Sequence, residues 1–329
     1  MSFLRPHPHR GDVVAAGAVP LAVVAIVIEL RMRQWSLGPR FVVIALIAGL
    51  ILTMGWLSEL EGPAPRPYHS VLLVAGLLPL IVAFQLLAEV LGAHRPPGSG
   101  GDVWTFGLEA VIAGLAARRA NSGICTLIAA LAAAVAVEAL VSWAFQPHGL
   151  GTFRAILLVL TLALIAGAIR LRDRRRRHAV QLINAGGVLT LVLELTFLVG
   201  TLVSVAASRL GGGSLLGGAV SSASFGWKLY VLAVGLGLVA YAAVDREPGP
   251  AYLGTAVLAA FAVMVGIQVS GRGSLVGWPL FLLIIGGAGL AIGLRPRRPL
   301  PPPPDAATTT VAPTIPLDAA SGTTSEDGG

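Results

Sequence analysis

One cysteine, Cys125, and one lysine, Lys228, are all that this chain of 329 residues contains of those two types. A lone cysteine excludes an internal disulfide and leaves no thiolate metal centre. Charge is scarce: Asp, Glu, Lys and Arg together make up 12% of the chain, about half the share usual in soluble domains. No alternating strand pattern, no G-x-S-x-G elbow and no P-loop occurs, so neither a nucleophilic hydrolase nor an ATPase is expected. The six histidines, His7, His9, His69, His94, His148 and His178, lie at loops or span ends without the spacing of metal ligands. No metal, cofactor or enzymatic activity is therefore expected. No basic face interleaved with aromatics exists, which removes nucleic acid as an expected partner.

What the chain has instead is long apolar runs. Hydrophobic residues account for 55% of it, with a mean hydropathy of +0.82. They fall in blocks broken by short polar punctuation, and a bilayer core needs about 20 such residues per helix. Ten spans are expected, at residues 13–30, 41–57, 71–91, 103–117, 121–145, 153–169, 180–207, 227–244, 251–269 and 274–294. The expected class is thus all-α, a polytopic transmembrane helix bundle at residues 13–294, with an N-terminal segment 1–12 and a Pro/Thr-rich tail 295–329. No clear cleavage site follows the basic N-terminus, so the first block reads as a retained helix rather than a signal peptide. The Gly/Ser-rich connection 209–226 reads as a flexible linker, and the tail as a polyproline start leading into disordered chain.

Twenty-three basic residues, all arginine but Lys228, set the expected orientation. With ten spans, the side bearing both termini and the 2–3, 4–5, 6–7 and 8–9 connections carries fifteen of them, the other side eight. The 6–7 connection holds RLRDRRRR at residues 170–177, and short arginine-rich loops stay in the cytoplasm. Both termini are therefore expected inside. Dropping the short fourth span would turn that cluster outward, so the charges favour ten spans over nine. Arg31, Arg33 and Arg40, in the first outer connection, break the rule locally. The six Trp and four Tyr lie at or near span ends, where an amphipathic ring suits the headgroup level.

Ten spans divide into halves of five, residues 13–145 and 153–294, and an odd number per half would make them an inverted repeat. Pro79 in span three and Gly235 and Gly237 in span eight then occupy corresponding interruptions.

Three glutamates fall inside spans: Glu109, Glu138 and Glu194, with no Lys or Arg expected at their depth. An intramembrane carboxyl is expensive and marks a functional hypothesis by default. On a helix turning 100° per residue, Glu194 shares a face with Gly187, Thr190 and Thr201. Such a stripe of small and polar residues belongs in the bundle interior. It suits a protonatable site or a cation ligand; the structural alternative is a protonated Glu donating one hydrogen bond that locks two helices. Glu109 has Thr105 and Ala113 on its face, and Glu138 has Ala134 and Ser142. Glu29 and Glu89, at span ends, read as interfacial. In the 6–7 connection Arg172, Arg174, Arg175, Arg176 and Arg177 are candidates for binding anionic lipid or a protein partner, each charge contributing about 1 kcal/mol at a membrane surface. The plainer reading is a topology signal. Gly289 and Gly293, a G-x-x-x-G pair in span ten, read as helix packing.

The stretches AYAAVDREPGPAYLG (residues 240–254), SLVGWPLFLLIIGGAGLAIGLRPRRP (residues 274–299) and YHSVLLVAGLLPL (residues 68–80) resemble polytopic membrane proteins encoded in actinobacterial genomes. That group carries no assigned activity. The resemblance implies a bacterial inner-membrane location and transfers no site residue. The ten-span layout also resembles the drug/metabolite transporter superfamily, none of whose motifs occurs here. Two functions follow as expectations. One is a secondary transporter of a small solute that uses the buried carboxylates. The other is a non-enzymatic scaffold that binds anionic lipid or a protein partner through residues 170–177 and the tail.

Overall fold

Apolar runs this long have one way to satisfy their backbone polar groups without water, the α-helix. The computed structural model describes residues 11–32, 34–58, 66–93, 98–147, 149–209 and 223–269, and among them it is helical with no strand. The helices are α1 (Gly11–Arg31), α2 (Leu37–Leu57), α3 (Pro67–Val90), α4 (Ser99–Ala120), α5 (Gly123–Phe145), α6 (Leu150–Leu171), α7 (Arg176–Arg209), α8 (Phe225–Asp245) and α9 (Pro248–Val269). They coincide with the first nine expected spans. The tenth span, the tail, most of the connection 209–226 and His7, His9, His94 and His148 lie outside the described residues.

Local chemistry sets the ends. Pro67 occupies the first turn of α3, where its missing N–H is no loss. Gly92, at φ 98°, follows α3, and Asn121, at φ 49°, ends α4; both residue types enter the left-handed region readily. All of these helices except α4 are long and apolar enough to cross a membrane. Their outer faces are apolar too: Leu46 and Ile169 are each 67% exposed and Val159 63%. Helices apolar all round belong in lipid.

α4 corrects the expected fourth span. It runs from Ser99 to Ala120 over 22 residues, against fifteen in the sequence reading. Its polar ends, with Asp102 at the start and Arg118 and Arg119 in the last turn, lower its apolar content without ending the helix. Packing holds it there. Gln85 of α3 donates to Asp102 Oδ1 (3.1 Å) and Thr105 Oγ1 (3.0 Å) at one end. Ala113, Ala116 and Ala120 join Leu73 and Leu77 of α3 in one buried cluster toward the other. α4 is thus antiparallel to α3 along its length.

α3 packs on α1, α2 and α4, and α7 on α5, α6, α8 and α9; α5 against α7 joins the two groups. Small residues make the close approaches, as in lipid they must. α1 presents Ala15, Ala18 and Ala22 to Tyr68, Leu72 and Ala75 of α3. Polar contacts gather the connections at the two ends. Arg119 Nε donates to Trp56 O at 3.3 Å. Ser70 and Ser122 lie 3.1 Å apart through their hydroxyls, His178 bonds Asn121, and Arg172 bonds Asp245. These place the α2–α3, α4–α5, α6–α7 and α8–α9 connections at one end. Arg40 with Glu29 marks the opposite end.

That pair revises the reading of Glu29 as merely interfacial, and it explains the local break in the charge rule. The Arg40 side chain is 3% exposed and Glu29 17%, with Nη1 and Oε2 3.2 Å apart. Arg40 is therefore neutralised across the α1–α2 hairpin. Glu29→Ala strands a buried guanidinium and is expected to cost about 2 kcal/mol, the scale of a hydrogen bond to a charged group. Thermal unfolding of that variant in detergent measures it, and an unchanged midpoint would show the pair to be incidental.

Candidate functional site

Glu194 stands in α7, which packs on α5, α6, α8 and α9. The face Gly187–Thr190–Glu194 points inward as the spacing requires, and Thr190 and Glu194 both have zero exposure. Thr190 Oγ1 donates to Gly186 O at 3.0 Å, which leaves it to accept from Tyr230 OH of α8 at 3.3 Å. Thr201 is half-buried and donates to Phe197 O of its own helix at 2.8 Å, so it adds nothing to the interhelical site. A side chain at Gly187 would meet Leu238 of α8 at 3.1 Å and Leu253 of α9 at 3.4 Å.

Glu109 in α4 is equally enclosed, with zero exposure beside Thr105 at 2% and Ala113 at 0%. The α3–α4 register puts it level with Pro79, which lies inside α3. Proline lacks an N–H, so the carbonyl of Ala75 loses its helical donor there. Both carboxyl oxygens of Glu109 and both of Glu194 are buried without a hydrogen-bond partner. Buried polar groups are nearly always bonded, and each exception needs a reason. The interhelical lock weighed for Glu194 would need a bonded carboxyl, and the geometry has none. Glu138 is half-buried, with Oε2 also unpartnered. Glu109 and Glu194 stand on helices that pack mainly on different partners, α4 on α3 and α5, α7 on α5, α6, α8 and α9.

The expectation that no arginine reaches this depth fails at Arg154. It stands at the start of the expected sixth span; α6 begins at Leu150, and Arg154 is only 7% exposed. Its Nε donates to Thr196 Oγ1 at 3.0 Å and its Nη2 to Thr196 O at 3.3 Å. Its guanidinium lies 3.6 Å from the centre of the Phe197 ring. Phe197 in turn meets Trp227 at 5.8 Å, and Trp227 meets Tyr230 edge-on at 6.2 Å. A buried cation thus lies against α7 at Thr196 and Phe197, two and three residues beyond Glu194 in sequence. The missed signal was Thr196: the arginine is buried because α7 offers it two acceptors.

α6 and α8 do not pack closely on each other. A cavity of about 440 Å³ lies between them, floored by Ile183 and Gly187 of α7. Its walls are aliphatic, from Leu162 and Ile165 to Val234 and Leu238, with Tyr230 at one end and Tyr241 and Arg172 at the other. Tyr230 links the cavity to Thr190, and so to the turn that bears Glu194.

The arginines of the 6–7 connection divide. Arg172 Nη2 donates to Asp245 Oδ1 at 2.7 Å, a bond that holds its guanidinium above the ordinary range and keeps it charged. Arg176 donates to Asp245 O and lies 3.9 Å from Glu247. Arg174, Arg175, Arg176 and Arg177 also border a second cavity, of about 480 Å³, with Arg118, Asn121 and His178. Sequence reasoning left His178 at a loop end. It is 4% exposed, bonded to Asn121 Oδ1 at 3.0 Å and to Thr126 Oγ1. Among the described residues no group of three or more His, Cys, Asp or Glu is placed to hold a metal ion.

No family model matches this chain, and no curated protein is significantly similar to it.

Proposed function

We propose that this chain is a ten-span bacterial inner-membrane protein, both termini cytosolic, that moves a small solute with Glu194 and Glu109 as proton or cation carriers. The observation that carries the reading is the pair of fully buried carboxyls without hydrogen-bond partners. Carboxylates retained at such a depth belong to ion or proton pathways. The cavity beside Tyr230 supports it, since ligand sites are mostly apolar with a few placed polar groups. Aliphatic walls with two tyrosines and Arg172 suit a mainly apolar solute bearing one polar or anionic group.

The test uses the purified protein beside Glu194→Gln. A solute library is screened by thermal shift at two pH values, and hits are followed as flux into proteoliposomes. Stabilisation and pH-dependent flux in the wild type, both lost in the variant, are expected. Flux unchanged in Glu194→Gln would remove the assigned role. A second reading, a scaffold without turnover, draws on the arginines of residues 170–177 and the Pro-rich tail. It expects no solute to stabilise either form, with partner association lost when those arginines are neutralised.

The orientation has its own test. Cys125 is fully buried, and its replacement by alanine leaves a thiol-free background. A cysteine placed at Arg175 is expected to resist an impermeant thiol reagent on intact cells and to react after permeabilisation. Labelling from outside would invert the layout.

A further inference from the structure

We propose that the arginine-lined cavity between the α4–α5 and α6–α7 connections binds a phosphate-type dianion. Its components lie more than fifty residues apart in sequence and are fixed together in the fold. Arg118 lies in the last turn of α4; Arg174 and Arg175 precede α7, and Arg176 and Arg177 begin it. His178 ties the two connections by its bonds to Asn121 and Thr126. The N-terminus of α5 abuts that of α7, because a side chain on Gly123 would meet Gln181 Cγ at 3.2 Å and Arg177 O at 3.3 Å. The arginines are therefore held as a group rather than as a loose loop.

The lining is one-sided in charge. Five arginines, Asn121 and His178 surround about 480 Å³, and no acidic side chain borders it. Asp173 adjoins Arg174 in the turn but does not border the cavity, Asp245 holds Arg172, and Glu247 lies 3.9 Å from Arg176. Like charges confined this way repel until a counter-ion enters. The backbone supplies further donors, since the first amides of a helix, here those of Arg176 and Arg177, have no intrahelical acceptor. Guanidinium forks and free amides around one space match the oxygens of a phosphoryl group. The ligand chemistry is thus a phosphate monoester, carried on a lipid headgroup or on a soluble molecule. This inference stands apart from Glu194 and from transport.

The experiment separates a site from a diffuse basic surface. Full-length protein is titrated in neutral detergent with inorganic phosphate and with pyrophosphate, and, in a second arm, in nanodiscs of zwitterionic lipid with and without phosphatidic acid. Arg118→Gln removes one lining charge. Arg170→Gln removes an equal charge from the same basic region outside the lining. Arg118→Gln is expected to weaken binding about tenfold, the loss of one charge-assisted contact, with Arg170→Gln near the wild type. Saturation by pyrophosphate points to a soluble phosphate ester, and response to phosphatidic acid alone to a lipid headgroup. Equal losses in both variants, or no binding in either arm, overturn the proposal. Should Arg118→Gln fail to fold, as judged by its unfolding midpoint without anion, Arg175→Gln takes its place.

Discussion

Glu194→Leu yields a protein that melts at a higher temperature than the wild type and transports nothing. The stability half follows from the orphaned carboxyl. Glu194 has zero exposure, and neither oxygen finds a donor or acceptor. Leaving a buried polar group unsatisfied costs about 1–3 kcal/mol, and leucine fills a similar volume without polar atoms. Glu109→Leu is expected to act the same way in α4. Because α4 and α7 pack mainly on different partners, the two gains should add. The functional half follows because leucine cannot exchange a proton or hold a cation. Thermal unfolding of both single variants and the double, with flux measured on the same preparations, checks both halves. An interhelical lock makes the opposite prediction, a loss of about 0.6–2 kcal/mol. A lowered melting temperature in Glu194→Leu would therefore establish a structural carboxyl and leave the transport reading without its main support.

Much of this architecture was written in hydropathy. Nine helices fall where apolar runs and their Gly, Pro and Arg punctuation put them, since in lipid the backbone decides the conformation and side chains only bound it. α4 was misjudged by seven residues. Ser99, Gly100, Gly101 and Asp102 look like a loop to any local rule, and the contacts that hold this turn against its neighbours, Gln85 of α3 on Asp102 and Trp143 of α5 over Gly100, come from other helices. The buried faces of Glu194 and Glu109 were legible because small and polar neighbours recur at helical spacing. Whether those carboxyls would be bonded was not, since a partner comes from another helix. Arg154 was hidden for the same reason: nothing within α6 marks an arginine near its start for burial, and the acceptors lie on α7, forty-two residues on. The Arg40–Glu29 pair was accessible in principle. An acid near the end of one helix and a base near the start of the next face each other whenever the hairpin is short. The arginine cavity joins connections that no sequence window spans.

Gly254→Leu should abolish the native packing of α8 on α9, even though α9 reads as a uniformly tolerant apolar helix. A Cβ at position 254 would lie 2.8 Å from Gly235 O, 2.9 Å from Val239 Cγ2 and 3.0 Å from Leu238 Cβ. The first of these atoms is backbone and cannot rotate away. Overpacking of this kind typically costs about 1–3 kcal/mol, and a leucine, three carbons beyond the Cβ, belongs at or above the top of that range. The damage also propagates. Leu238 packs over Gly187 and walls the cavity, so displacing α9 loosens the floor beneath Glu194. Two comparisons isolate the cause. In Gly235→Ala the new methyl meets Leu258 Cδ2 and Cγ at 2.9 Å, a flexible side chain, so Leu258→Ala should rescue it in large part. Gly254→Ala has no such rescue through Val239→Ala, because the carbonyl of Gly235 remains. Gly114, in α4, has nothing within 4 Å of its Cβ position, and Gly114→Ala should be neutral or stabilising by up to about 1 kcal/mol. Melting temperatures of these variants in one detergent order the set. If Gly254→Ala melted with Gly114→Ala, the α8–α9 crossing would not be a backbone contact, and the site built on α7 would lose the wall against which its register was read.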